Sequence, residues 1–247
     1  MTRVVTLANG SSRSIPQAEL AAVAAALQIQ LDRDFFPVWG KRAQVVALGP
    51  GEPVPALAWP MSILDKPQYG LGVHLDANHR PFAEIEATAD WSVTASHELM
   101  EMLEDPLGQK FISGPDIAPG APPHQVRYLV EVGDPCETFA YSIDGVAVSD
   151  FLTRAFYDPH ATGTSFDFLG RLARPFDVPA GGYISWIDPE DGHWHQKTPD
   201  GQFTRSRQKA DSRRNPREDR DGAFGDAEGL ARHRLSAIRG RFQHRAS

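Results

Sequence analysis

The chain has 247 residues, 41% of them apolar and 23% charged, with a formal net charge of −7 and one cysteine. That length and apolar share suffice for a sizeable core, and no run of 18 or more apolar residues marks a membrane helix. A single cysteine excludes an internal disulfide, and the opening M-T-R-V-V-T-L-A-N-G-S-S-R-S lacks the apolar core of a secretory signal, so a cytoplasmic protein is expected.

In chain order, Arg3 to Ala8 reads as a first strand. Ser14-Ile15-Pro16 opens a helix with the apolar stripe Leu20, Val23, Ala24, Leu27 and Leu31, and Pro37 is expected to end it. Ala43 to Leu48 is a β-rich run closed by Gly-Pro-Gly. Ala56 to Leu64 reads as a strand broken or placed at an edge by Pro60. Leu71 to Leu75 and Phe82 to Ala87 are strands on either side of the turn Asp76-Ala77-Asn78-His79. A second helix runs from an N-cap at Asp90 to about Glu104 and stops at Asp105-Pro106. Residues 107–125 look like a loop, Val126 to Val132 like a strand, and Tyr141 to Trp194 like a series of short β runs.

The charge is unevenly spread. Residues 205–247 hold 12 Arg/Lys against 6 Asp/Glu, and the preceding residues 13 against 26. The basic segment has too few apolar residues to offset its chain entropy and is expected to be largely disordered, with a short amphipathic helix over residues 226–242. Contact with nucleic acid through this segment is a weak alternative, because no aromatic residues interleave the basic ones.

The stretch 96–106, S-H-E-L-M-E-M-L-E-D-P, carries the chemistry. His97 and Glu101 are four residues apart and share a helix face. They are candidate metal ligands, and Glu98 is the candidate general base for a water that the metal activates. This is the logic of the H-E-x-x-H metallohydrolase helix with its second histidine replaced by glutamate. A mixed β region followed by such a helix points to a zincin-like α+β domain over residues 1–204, with Phe82 to Ala87 as the strand at the cleft edge; this is fold-level analogy.

S-H-E-L-M-E-M-L-E-D-P followed by V-E-V-G-D-P-C resembles a pattern in uncharacterised bacterial proteins and, distantly, in the plant exordium (phosphate-induced) family. Those carry H-E-x-x-E, then D-P or N-P, then E-x-G-D-x-C. D-R-D-F-F-P-V-W-G upstream, and V-S-D-F-L-T-R-A-F-Y-D-P and G-G-Y-I-S-W downstream, extend the resemblance over roughly residues 25–195. The downstream segment is the expected source of a third ligand: Asp134 first, then Glu131, with Cys136 a softer option. Asp105 extends the 97, 101 ladder but sits before a proline, which suits a helix end.

Zinc is the expected metal, with manganese, iron and calcium as alternatives. The expected reaction is hydrolysis of an amide bond in a peptide or protein substrate, with His74, Tyr157 or Tyr183 as donor to the oxyanion. Trp59, Trp91, Trp186 and Trp194 are expected in the core or in a cleft wall. Two other readings stay open. One is a non-catalytic, metal-stabilised binding or scaffold protein. The other is a helix whose Glu98, Glu101, Glu104 and Asp105 form a solvated acidic face.

Overall fold

The computed structural model describes residues 3–207, which form two compact units. Among these residues, the first comprises 3–108 together with Ala140–Asp150; the second comprises Gln109–Phe139 and 151–207. The stretch expected as one domain, 1–204, holds parts of both. The mixed α+β class is as expected.

In the first unit, β1 (Arg3–Asn9), β2 (Ala43–Ala47), β3 (Trp59–Leu64), β4 (Gly72–Ala77) and β5 (Arg80–Glu86) form one sheet in the order β2-β1-β3-β5-β4. All pairs are parallel except β4–β5, an antiparallel hairpin whose turn residues Asn78 and His79 both have positive φ. That is the backbone a tight two-residue hairpin demands. β3 is central, so Pro60 does not mark an edge; pairing with β5 begins only at Met61, and Pro60 faces Thr6 of β1 alone. The Phe82 to Ala87 segment falls in β5, which lies between β3 and β4, and β4 is the edge strand on that side of the sheet.

Helix α1 (Gln17–Ile29) buries the stripe its spacing predicts, with Leu20, Val23, Ala24, Leu27 and Leu31 at most 5% exposed. The chain does not stop at Pro37. It widens into a π segment over Gln30–Phe35 and continues as the short helix α2 (Phe36–Trp39). Pro37 is the second residue of α2, directly after the π segment, and the helical run continues through it. Gly40, at φ 70°, ends the run by donating its N–H to the Phe36 carbonyl. The left-handed stop needs glycine.

Helix α3 (Trp91–Glu104) packs on β4 and β5 and also on β9 of the hairpin β8 (Ala140–Ile143) and β9 (Val146–Ser149). A polar seam fixes this arrangement. Ser96 Oγ donates to Gln30 Oε1 and accepts from the Ser149 N–H, and Gln30 Nε2 donates to the Ser149 carbonyl. The π segment places Gln30 in that seam and Asp34 where Tyr141 Oη and the Arg33 guanidinium donate to it. Buried polar groups satisfied in this way hold one register.

In the second unit, β6 (Phe111–Pro115), β7 (Gln125–Leu129), β10 (Ile184–Ile187), β11 (Trp194–Lys197) and β12 (Phe203–Ser206) form an antiparallel sheet in the order β12-β11-β10-β7-β6. β6 lies within the stretch expected as a loop, because its Gly114 and Pro115 read as turn residues. Gly114 is there for contact: a Cβ on it would lie 2.6 Å from the Phe176 ring, which packs on Tyr128. β12 includes Arg205 and Ser206, so the basic segment expected from residue 205 begins inside a strand. The helix expected over residues 226–242 lies outside the described residues.

Gly72 sets the approach of α3 to β4. A Cβ there would meet Thr94 Cγ2 at 2.3 Å and Glu98 Oε1 at 2.8 Å. Gly72→Ala is therefore expected to destabilise the protein by about 1–3 kcal/mol through overpacking, measured by urea unfolding. Adding Thr94→Ser should recover part of the loss, as contacting residues couple.

Candidate metal centre

Helix periodicity puts His97, Glu98 and Glu101 on neighbouring positions of α3. His97 Nε2 lies 3.2 Å from Glu101 Oε1. β4 adds a second imidazole. His74 Nδ1 is 3.5 Å from Glu98 Oε2 and 3.7 Å from Glu101 Oε2, and its Nε2 lies 3.0 Å from the Asp105 carbonyl oxygen. A carbonyl only accepts, so the proton sits on Nε2, the hydrogen bond that fixes a histidine's tautomer. The two oxygens of Glu101 thus face two different histidines, one from its own helix and one from the sheet edge.

The acidic face is not solvated. Glu98 is 2% exposed, Glu101 0%, Glu104 1% and Asp105 2%, against the reading of a surface helix. Burying carboxylates costs several kcal/mol each unless cations, protons or donors offset it. Lys41 Nζ approaches Glu104 Oε2 at 3.8 Å. Glu98 Oε2 is buried and accepts no hydrogen bond. With His74 so near, this donor set of two imidazoles and two carboxylates has the chemistry of a divalent-cation site.

His74 was a candidate oxyanion donor by sequence. Its Nε2 proton goes instead to Asp105, and its Nδ1 faces the carboxylates of α3. The strand G-V-H-L reads as ordinary β sequence, and the only signal of a close approach is the glycine at 72.

Glu131, Asp134, Cys136, Tyr157 and Tyr183 belong to the second unit. Asp134 starts a 3-10 turn, Asp134–Cys136, and its carbonyl accepts from the Tyr183 N–H at 3.2 Å. Gly182 permits that contact, since a Cβ there would lie 2.2 Å from the Pro135 carbonyl oxygen. Asp134 and Glu131 are buried, Tyr157 Oη lies 3.5 Å from the Glu131 carbonyl, and the Cys136 thiol is fully buried near the Val132 carbonyl. Among the tryptophans, Trp91 and Trp186 are buried, whereas Trp59 and Trp194 are half-buried.

The same unit contains a cluster that motif reading missed. His124 Nδ1 donates to the Pro122 carbonyl and Nε2 to Asp188 Oδ2, at 2.9 and 3.0 Å. Asp191 lies in the β10–β11 connection. Burial pushes its carboxyl up, but the His193 N–H and the Arg205 guanidinium outweigh that and leave it at about 2. D-P-E-D-G-H-W-H at 188–195 was the available signal, hidden because it reads as an ordinary hairpin turn.

No known protein family, curated protein or solved structure matches the chain. Among the described residues, no helix is long and apolar enough to cross a membrane.

Bonding to the Pro122 carbonyl and to Asp188 raises the His124 pKa above its ordinary 6.5. A raised folded value means that the pair's stabilisation is complete below 6.5 and lost as pH rises through the folded pKa. NMR titration should give a midpoint above 6.5 for His124, and Asp188→Asn should lower it.

Proposed function

We propose that this chain is a metal-dependent hydrolase acting on amide bonds of peptide or protein substrates, zincin-like in drawing ligand and base from one helix. The observation that carries the reading is the pairing of His97 Nε2 with Glu101 Oε1 at 3.2 Å beside Glu98, whose buried Oε2 accepts no hydrogen bond. His97 and Glu101 would hold the ion. When bound, it would lower the pKa of a water and polarise the substrate carbonyl. Zinc suits the donors best, with manganese, iron and calcium as alternatives.

Glu98 follows His97 directly, and its carboxylate takes the proton of the attacking water and delivers it to the leaving nitrogen. β4 passes close to that side chain: a Cβ on Gly72 would meet both Glu98 Oε1 and, one turn earlier in α3, Thr94 Cγ2.

A second reading has its own support. Glu98 and Glu101 are almost wholly buried, as suits an ion that stabilises a non-catalytic binding protein. Glu98→Gln separates the two. In a hydrolase it should cut turnover of a peptide library by roughly 10²–10⁴-fold, the usual contribution of a general base. By plasma mass spectrometry the ion at His97 and Glu101 should remain in Glu98→Gln and be lost in His97→Ala. Retained activity, or none in the wild type with metal bound, would favour the structural ion.

A further inference from the structure

We propose that the first unit holds a second divalent cation, bound by His74 Nδ1, Glu98 Oε2 and Glu101 Oε2, with Glu101 shared between this ion and the one at His97. The proposal rests on the reading above for the first ion and goes beyond it in assigning His74 and a ligand role to Glu98.

The three side chains come from β4 and from two positions of α3, and each is at most 3% exposed. The ligand atoms lie within 4.8 Å of one another. Two features point to a cation among them. His74 has its proton on Nε2, fixed by the Asp105 carbonyl, so Nδ1 turns a lone pair toward two carboxylate oxygens. With Nδ1 unprotonated, a neutral imidazole and two carboxylate oxygens grouped in this way are placed as ligands of one cation. Glu98 Oε2 is moreover a buried acceptor without a hydrogen bond, a costly state that an ion relieves.

The separations agree. At 3.5 and 3.7 Å the nitrogen–oxygen contacts are too long for hydrogen bonds. Ligands about 2.0–2.1 Å from one tetrahedral ion stand about 3.3–3.4 Å apart. An imidazole and two carboxylates are a donor set that divalent cations accept. The Nε2–H to backbone carbonyl bond is the outer contact that metal-binding histidines usually make.

Glu101 divides its oxygens, Oε1 toward His97 and Oε2 toward His74. A carboxylate in that position bridges two ions. Glu98 is held by Oε2, which leaves Oε1 for the proton transfer assigned to it.

The test loads the full-length, metal-stripped protein with manganese(II) and measures stoichiometry together with the electron paramagnetic resonance spectrum. Two bound equivalents are expected, with the halved hyperfine spacing of a spin-coupled pair. His74→Ala and His97→Ala should each bind one equivalent and give the spectrum of an isolated ion. The wild-type spectrum stands even if a variant fails to fold. One equivalent in the wild type, with the spectrum of an isolated ion, overturns the second site; its loss in His97→Ala would leave the hydrolase reading standing. No bound manganese, zinc or calcium overturns both.

Discussion

A helix that carries Glu98, Glu101, Glu104 and Asp105 can be buried only where something positive or protic meets it, and that requirement organises the first unit. The charged face of α3 does not turn to water; it lies against the edge strand β4, which supplies His74. Gly72 makes the approach close enough for Thr94 and Glu98 to touch the strand backbone. An alanine-sized side chain at this position would separate the imidazole from the carboxylates. Fold and chemistry meet at that contact.

The opposite demand, a fixed rotation of α3, is met by the polar seam of Gln30, Ser96 and Ser149. A helix rotated by one residue would lose both bonds of Ser96 and carry Glu98 and Glu101 away from His74 of β4. The π segment contributes directly. Gln30, Leu31, Asp34 and Phe35 lie on the buried side of this segment together.

Legibility followed locality. The stripe of α1, the limits of α3 at Asp90 and Asp105, and the Asn78-His79 turn depend on near neighbours, and all were readable. So was the candidate pair His97 and Glu101, an i, i+4 relation. What was hidden depended on residues far apart in sequence. Pro37 reads as a stop unless the π turn before it is known. Pro60 reads as an edge marker unless pairing with β5 is seen to begin after it. Gly114 reads as loop until Phe176 covers it. His74 looks like sheet filler, because its partners lie 24 to 31 residues further on in α3 and at its end. The acidic face itself was ambiguous, since the same spacing describes a solvated helix and a ligand ladder.

The buried face of α3, as proposed, holds a metal ion. The most direct measurement is an anomalous difference map, recorded at the zinc absorption edge, from crystals of the zinc-loaded protein. A peak within bonding distance, about 2.0–2.2 Å, of both His97 Nε2 and Glu101 Oε1 is the predicted result. A fully loaded crystal with no anomalous density on that face of α3 would contradict it and leave the carboxylates as a protonated or ion-paired structural cluster.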